Sequence, residues 1–594
     1  MKLSANAIAL CVVGVWSGAD AHPLSPRETS SPSVDLGYAI YEGTHDVNHS
    51  INVFKGIRYA APPLGNLRFA APHSPATNRT GIQLATSDPP ICPQTGASKE
   101  TPEEYGFLSG PGDEDCLFLN VFAPANASSL PVFFWIHGGG YGLFSASGLN
   151  PTEFMSINDN GFISVIIQYR LGAFGFLAGD EVKEHGALNA GLLDMNFALQ
   201  WVQQNIRKFG GDPNRVTIAG ESAGAGAVMY QAMAYGGAQN ESLFNNIIAA
   251  SPWVPYQHGY NDPVPTASYD AFVEAAGCHN ATTLQCLRDT NTTVLQNASA
   301  LVSEAGSFGS FAFLPVTDGE FIQQLPSEQL LAKDLIGKRI LSGNMADEGI
   351  PLSPPYTKTL QDFRDYINIT FPSFLPEDKL GVEAQYSYDG DDQPVDPSAP
   401  LFATDGTSSP TAVNQSPFGT GQQQRVFNVF AEYAFDCPSY WLTSAFPQAW
   451  KYQFSALPAY HGFDLQALWY ERSAPGQSFK HAFRKIWGNF IIHDDPTITV
   501  ADAQAGNTKA QVPVGEDGVS IEWPQWTEES QKLLSLNTTG GVATLSNVTE
   551  YLKYYMYSDP GVVNQFLVAD AYTWEGGRGE RCEWWLEHAA KVPY

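Results

Sequence analysis

Ser222 is the residue whose surroundings point most directly to chemistry. It is the middle residue of a G-x-S-x-G segment, Gly220-Glu221-Ser222-Ala223-Gly224. Between a strand and a helix, this pattern forms a sharp, strained turn that exposes the serine hydroxyl as a nucleophile. Glycines flank the serine because larger side chains would clash with the neighbouring strand and helix. The pattern is weak by itself, and a strand-turn-helix setting strengthens it.

A run of three glycines is the candidate source of the backbone N–H groups that such a nucleophile needs to stabilise an oxyanion. The segment His137-Gly138-Gly139-Gly140-Tyr141 follows an apolar run at residues 131–136. Consecutive glycines free the backbone to direct N–H groups at a developing oxyanion. A bare glycine run is more often a flexible turn. Beside a candidate nucleophile elbow, which is the sharp turn that exposes the serine, the oxyanion role is favoured.

An acid and a base follow two later apolar segments. Glu348 comes after residues 338–342, and His461 comes after residues 450–455. Catalytic groups in open α/β sheets lie beyond the carboxyl ends of the strands, so we expect these groups at one edge. The order serine, acid, histidine is that of the α/β-hydrolase fold. Asp347 is the alternative acid.

The other histidines are weaker candidates for the base. His481 and His493 lie on or after a predicted amphipathic helix at residues 478–492, where a structural or exposed role is favoured. Several others precede Ser222 or lie in polar loops: His22, His45, His49, His73 and His279.

The elements that must position these residues alternate between strands and helices. Continuous apolar runs at 131–137 and 162–169 predict strands buried on both faces. Residues 191–209 carry apolar side chains at helical spacing, and a strand at 215–219 precedes a small-residue helix at 223–234. This alternation predicts an α/β fold of the α/β-hydrolase type, a large mixed, mostly parallel sheet flanked by helices, with long loop insertions.

Shorter elements and one irregular segment complete the organisation. Strands are predicted at residues 36–41, 51–59 and 117–122. Residues 372–421 are rich in Pro, Gly, Ser and Asp, which predicts surface loops or an insertion and not a separate domain. We therefore predict a single domain over residues 22–594.

Composition restricts the partners. The net charge of −30 argues against nucleic acid, because phosphate neutralisation needs clustered Lys and Arg. An apolar content of 43% is enough for a large core. No zinc-type Cys/His spacing, phosphate-binding glycine loop or EF-hand pattern occurs, so neither a metal nor a cofactor is predicted.

Several features predict secretion. Lys2, the apolar run at 5–16 and Ala19-Asp20-Ala21 fit a signal peptide over residues 1–21, and that run is too short to span a membrane. Of seven cysteines, Cys11 would leave with it, so an even number would remain in an oxidising compartment. Sequons predict N-linked glycans at Asn48, Asn78, Asn126, Asn240, Asn280, Asn291, Asn297, Asn368, Asn414, Asn537 and Asn547.

Four segments in order resemble one family. The chain is similar to the type-B carboxylesterases, the group that holds cholinesterases and secreted fungal lipases and esterases. The resemblance covers almost the whole mature chain. It rests on residues 54–63 (FKGIRYAAPP), 114–120 (EDCLFLN), 209–224 (FGGDPNRVTIAGESAG) and 315–319 (PVTDG).

The resemblance implies roles for individual residues. It implies a triad in which the family's Glu favours Glu348 over Asp347, a backbone oxyanion hole, and a second carboxylate near the histidine. It also implies disulfides Cys92–Cys116 and Cys278–Cys286; Cys437 and Cys582 remain and would close a third, although the sequence alone leaves the pairing open. The implied groups are the triad Ser222, Glu348 and His461, the oxyanion donors Gly139, Gly140 and Ala223, and the carboxylate of Glu221.

An acyl pocket is the least determined part of the implied site. Trp253, Phe311 and Phe313 fall where the family shapes this pocket, but an aromatic cluster there is equally compatible with ordinary core. The loop at 93–115 has no Trp to hold a quaternary ammonium group, only Tyr105 and Phe107, which argues against choline esters.

The predicted function is that of a secreted serine carboxylic-ester hydrolase acting on small-molecule esters. Three alternatives stay open: an inactive esterase-like adhesion protein, a lipase for long-chain acylglycerols, and a serine carboxypeptidase. A complete set of catalytic residues argues against the first, and the glycine loop with a Glu acid argues against the last. No stable membrane anchor is predicted.

Overall fold

The computed structural model describes residues 31–101, 106–239, 242–254, 257–279, 283–387, 416, 418–471, 474–547 and 552–592. The strands in these ranges are β1 Ser33–Asp35, β2 Ile40–Glu42, β3 Thr44–Asp46, β4 Ile51–Arg58, β5 Ile82–Leu84, β6 Phe118–Pro124, β7 Leu130–Ile136, β8 Ile163–Ile167, β9 Gly211–Glu221, β10 Asn246–Ala250, β11 Arg339–Met345, β12 Gln448–Phe454, β13 Lys532–Asn547 and β14 Lys553–Asp570.

The helices surround the sheet and connect its strands. They are α1 Thr152–Ile157, α2 Gly172–Phe176, α3 Asp180–His185, α4 Ala190–Asn205, α5 Ala223–Met233, α6 Pro263–Ala275, α7 Thr283–Asp289, α8 Thr292–Glu304, α9 Pro326–Ala332, α10 Leu360–Thr370, α11 Pro376–Gln385, α12 Gly421–Ala431, α13 Cys437–Ala445, α14 Asp464–Trp469, α15 Gln477–His493, α16 Val500–Gln504 and α17 Trp574–His588.

An eleven-stranded mixed sheet organises the molecule, in the order β14-β13-β12-β11-β10-β9-β7-β8-β6-β4-β3. The strands from β8 across to β13 run parallel to one another. Antiparallel pairs form both ends, through β6, β4 and β3 on one side and the β13–β14 hairpin on the other. A separate three-stranded sheet joins β1, β2 and β5. The predicted mixed, mostly parallel sheet is thus present.

Strand β7 shows why the central strands are apolar throughout. Phe134 and Ile136 point into one core layer, and Phe133 and Trp135 point into the other. Helices α4 and α5 contribute to the first layer, and α15 contributes to the second. Since successive side chains alternate between faces, a strand covered on both sides needs apolar residues at every position.

One prediction about the elements is wrong. Residues 36–41 do not form one strand: residues 36–39 lie between β1 and β2, with a turn at Gly37, whose φ is +89°, and only residues 40–41 belong to β2. A glycine adopts this left-handed backbone without penalty, so the turn interrupts the apolar pattern. The segment 372–421, predicted as surface loops or an insertion, contains helix α11, which buries Val382. Residues 388–415 and 417 of that segment lie outside the described residues.

The remaining elements follow the predictions with small shifts at their ends. The helix predicted at 191–209 is α4 followed by a short 3-10 turn, Ile206–Phe209. The signal segment at 1–21 lies outside the described residues. None of the helices in the described ranges combines the length and hydropathy that crossing a membrane requires.

All six cysteines of the predicted mature chain form disulfides in the structure: Cys92–Cys116, Cys278–Cys286 and Cys437–Cys582. The sequon asparagines of the described residues lie mostly at the surface. Asn48, Asn78, Asn126, Asn291, Asn297 and Asn368 are exposed, Asn537 is half-buried, Asn547 ends β13, and Asn240, Asn280 and Asn414 lie outside the described residues.

Candidate active site

Ser222 occupies the turn between β9 and α5, in a backbone conformation that non-glycine residues rarely adopt. Its φ is 59° and its ψ is −127°. A Cβ atom added at Gly220 would overlap the backbone of Gly224, and one added at Gly224 would overlap the carbonyl of Ile136. Both flanking glycines are therefore sterically required, and the strained turn places the serine beyond the carboxyl end of β9.

Three side chains from distant segments lie in one hydrogen-bonded line. The Oγ atom of Ser222 is 2.8 Å from Nε2 of His461. On the other side of the ring, Nδ1 is 2.6 Å from Oε2 of Glu348. The second carboxylate oxygen of Glu348 accepts a hydrogen bond from the N–H of Met345 at 2.6 Å. This is the geometry of a nucleophile, a base and an orienting acid.

Burial strengthens the electrostatics of this line. The Glu348 side chain is 0% exposed and that of His461 is 7% exposed. With little water to screen them, a carboxylate and a developing imidazolium interact more strongly than they would at a surface.

The glycine loop lies directly against the serine. An added Cβ at Gly138 would come within 3.0 Å of the Ser222 Cβ atom. Gly139 and Gly140 have positive φ angles of 102° and 60°. Within the described part of the chain, the N–H groups of Gly139, Gly140 and Ala223 donate to no other atom. These three donors are thus available to a ligand.

Glu221 brings a second carboxyl group to the histidine. Its Oε1 atom is 3.5 Å from Nε2 of His461, and its side chain is 5% exposed. Burial, reinforced by the nearby charge of Glu348, raises the pKa of Glu221 well above its usual value. Both causes favour the protonated, uncharged form of this carboxyl group beside the imidazole.

Asp347, the alternative acid, is not placed at the histidine. Its side chain lies among other acidic groups, Glu575 and Asp436. Burial, together with their charges, raises the pKa of Asp347 well above its usual value. The hydrogen bond to the imidazole is made by Glu348.

The aromatic residues proposed for the acyl pocket belong to one buried cluster but differ in their ring contacts. Trp253 is joined to the nucleophile through its backbone, because its N–H donates to the Ser222 carbonyl at 3.1 Å. Phe311 lies 5.8 Å from the Trp253 ring and packs so closely on Gly140 that an added Cβ there would overlap it. Phe313 instead packs on Phe272 in the core.

One contact with the histidine has no counterpart in the sequence analysis. The ring of Phe435 stacks on the imidazole of His461, with centroids 4.0 Å apart and planes inclined by 29°. No local pattern marks Phe435, because the two residues come from separate segments that only the folded chain brings together.

Comparison with known proteins places this arrangement in a family. The model of the carboxylesterase family matches residues 30–553. This chain belongs to the carboxylesterase family. The carboxylesterase is similar to Lipase 2 of Geotrichum candidum, with 31% identity over 547 residues, covering 83% of this chain and 89% of that protein.

A second relative and a solved structure extend the comparison. The carboxylesterase is 29% identical to the secreted triacylglycerol lipase LIP1 of Gibberella zeae over 568 residues, covering 86% of this chain and 89% of that protein. The crystal structure of Aspergillus niger EstA has a TM-score of 0.73 and 26% identity, covering 95% of this chain and 99% of the other. The carboxylesterase thus has the α/β-hydrolase fold and is a carboxylic ester hydrolase.

Proposed function

We propose that this carboxylesterase hydrolyses small-molecule esters through a covalent acyl-enzyme formed on Ser222. The observation that carries the proposal is the continuous hydrogen-bonded line from Ser222 through His461 to Glu348, with distances of 2.8 and 2.6 Å. The free N–H groups of the glycine loop beside the serine support it further.

The first half-reaction transfers the acyl group to the enzyme. Oγ of Ser222 attacks the ester carbonyl carbon while Nε2 of His461 takes the hydroxyl proton. The carbonyl oxygen becomes an oxyanion and accepts hydrogen bonds from the N–H groups of Gly139, Gly140 and Ala223. The tetrahedral intermediate collapses, the C–O bond to the alcohol breaks, and the alcohol leaves with the proton from His461.

The second half-reaction returns the serine. His461 accepts a proton from a water molecule, whose oxygen attacks the acyl carbon. The new tetrahedral intermediate releases the carboxylic acid, and the proton returns to Oγ of Ser222. His461 must be neutral at the start of each half-reaction, because it accepts a proton in both.

Acylglycerol hydrolysis is a second candidate activity, because several relatives are named lipases. Phe107 lies within 6.5 Å of both Phe144 and Phe311, ring centre to ring centre. Phe144 is 46% exposed and Leu108 is 54% exposed. Exposed apolar side chains close to the aromatic cluster suit contact with lipid.

Secretion belongs to the same proposal. The mature chain would begin at His22 and form one domain that carries glycans on its surface sequons. Three disulfides and a relative named as a secreted lipase support this.

The proposal is tested by removing the nucleophile. We expect Ser222→Ala to lower kcat for p-nitrophenyl butyrate by about 10⁴-fold or more, because no other group can form the acyl-enzyme. His461→Ala is expected to cause a loss of similar size, since the two residues act as a unit. Initial rates of p-nitrophenol release measure both effects.

A second serine provides the matched control. Ser342 is fully buried on β11 and donates to the carbonyl of Ser439, outside the catalytic line. Ser342→Ala should keep kcat within about threefold of the parent protein. Turnover retained by a folded Ser222→Ala protein would exclude the acyl-enzyme mechanism on this residue.

A further inference from the structure

Phe435 belongs to an unusual turn within a long helical segment. Helix α12 continues into a π-helical turn, Glu432–Asp436, which continues into α13. Turns of this type are rare, and they occur frequently at functional sites because the widened turn displaces the side chains around it. Phe435 lies in this turn and is 0% exposed.

The phenyl ring covers one face of the His461 ring, away from the two nitrogens that take part in the catalytic line. Both ring nitrogens of His461 are occupied at the ring edge, by Ser222 and by Glu348. The Phe435 ring lies on the face, 4.0 Å away between centroids. It therefore restrains rotation of the imidazole out of the line while leaving both nitrogens to their partners.

Buried ion pairs connect the π-helical turn to helix α17. Glu432 accepts two hydrogen bonds from Arg581 of α17, at 2.8 and 2.6 Å, and one from the Tyr386 hydroxyl at 2.6 Å. Burial alone would raise the pKa of Glu432, but Arg581 and Arg578 hold it below its usual value, so the group is charged. The two partners Glu432 and Arg581 are both buried, so their attraction is weakly screened.

A covalent link fixes the other end of the turn, next to a contact between Asp436 and Arg578. Asp436 lies 3.4 Å from a guanidinium nitrogen of Arg578. The next residue, Cys437, forms a disulfide with Cys582 of α17. The C-terminal helix α17 thus contacts the turn on both sides of Phe435. These contacts restrict the positions that the Phe435 ring can take.

We propose that Phe435 is a positioning residue that keeps His461 in the catalytic line and stabilises its protonated form during the reaction. The inference rests on the proposed function, in which Nε2 of His461 takes the Ser222 proton. The imidazole then becomes a cation beneath the face of a phenyl ring, which attracts cations through its quadrupole. Because this attraction arises only when the cation forms, it favours the transition state over the resting enzyme.

The test replaces the ring and follows the pH dependence of ester hydrolysis. For Phe435→Leu we expect kcat to fall about tenfold with KM nearly unchanged. The acidic limb of the kcat/KM profile should also move to lower pH by about half a unit. The sign follows because an imidazole that loses a neighbour stabilising its cation stays neutral at lower pH.

Two further variants separate this role from packing. Phe435→Tyr keeps the aromatic face and should restore the parent pH profile. Phe479 is equally buried, but it packs on Phe454 and Phe483 in the other core layer. Phe479→Leu removes the same ring there and should leave the acidic limb in place, whatever it costs in thermal stability.

The outcomes distinguish this inference from the proposed function. A folded Phe435→Leu protein with an unchanged acidic limb and kcat would overturn the positioning role alone, provided that His461→Ala is inactive. Turnover by His461→Ala would overturn the proposed function itself. If Phe435→Leu does not fold, Phe435→Met fills a similar volume without an aromatic face and faces the same two outcomes.

Discussion

At the scale of single residues, three backbone hydrogen bonds keep Ser222 in its strained conformation. Its N–H donates to the carbonyl of Ala250 at 3.0 Å, and its carbonyl accepts from Gly226 at 2.9 Å and Trp253 at 3.1 Å. A backbone with positive φ persists only where its surroundings over-determine it. Ser222, the proposed nucleophile, is therefore positioned by the main chain of neighbouring elements, and side-chain substitutions in those elements leave these hydrogen bonds in place.

Phe311 is predicted to limit the length of the acyl chain, because its ring packs directly on Gly140 beside the oxyanion donors. Replacing Phe311 by Ala opens that space to more methylene groups, each of which gains about 0.8 kcal/mol on burial. We expect the ratio of kcat/KM for p-nitrophenyl octanoate over p-nitrophenyl acetate to rise about tenfold. Initial rates with a series of p-nitrophenyl esters measure this ratio.

Phe313 is the matched control, since it is a buried phenylalanine two positions along that packs on Phe272. Phe313→Ala should reduce stability without changing the order of preference among acyl chains. An equal change of preference in both variants would contradict a specific role for Phe311 and would indicate that both rings line the pocket.

At the scale of elements, the long hairpin of β13 and β14 reaches the loops that carry Glu348 and His461, the proposed acid and base. Tyr554 of β14 and Leu552, which immediately precedes that strand, belong to a cluster with Ile350, and the Tyr554 ring lies 5.4 Å from that of Tyr460. The carbonyl of Ile350 in turn accepts a hydrogen bond from the N–H of His461 at 3.1 Å. The hairpin thus packs against both segments of the catalytic line.

Tyr554→Ala is predicted to loosen this contact. Because the contact touches the loops and not the substrate, kcat should fall several-fold while KM changes little. Stopped assays with p-nitrophenyl butyrate at saturating and limiting concentrations separate the two constants.

The neighbouring tyrosine is the control for the hairpin. Tyr555 is 42% exposed on the outer face of the same strand. Tyr555→Ala should leave both constants near those of the parent protein. Equal losses in the two variants would show that any change in this strand impairs the enzyme.

At the scale of the whole molecule, the disulfides close loops of very different length. Cys437–Cys582 spans 145 positions and joins α13 to the C-terminal helix, whereas Cys278–Cys286 spans 8. A cross-link stabilises a fold mainly by restricting the unfolded chain, and the effect grows with the length of the loop. The Cys437–Cys582 disulfide also attaches the end of the π-helical turn to the C-terminal helix.

Replacing Cys437 and Cys582 by Ser should therefore destabilise the protein more than replacing Cys278 and Cys286. Chain entropy predicts losses of roughly 5 and 2.5 kcal/mol for the two pairs. Thermal unfolding followed by circular dichroism compares them at one scan rate. Equal midpoints for the two double variants would show that loop length does not govern stability here.

Much of the fold was predictable because its signals are local. Continuous apolar runs identified β7 and β8, and the glycines around Ser222 identified the elbow, since both depend on neighbours in the chain. The turn at Gly37 and the helix α11 were missed for the opposite reason. A short strand-like pattern does not reveal an interrupting turn, and Pro- and Asp-rich composition conceals a helix that begins at Pro376.

The sequence by itself determined the family, the strand order in the chain and the residue types at the site. Only the tertiary structure decided which of two adjacent acids meets the imidazole, where Phe313 lies, and that Phe435 covers His461. The physical reason is that Ser222 and His461 are 239 positions apart, yet their reacting atoms lie 2.8 Å from each other. Sheet register and helix packing set such a distance, and they depend on the whole chain at once.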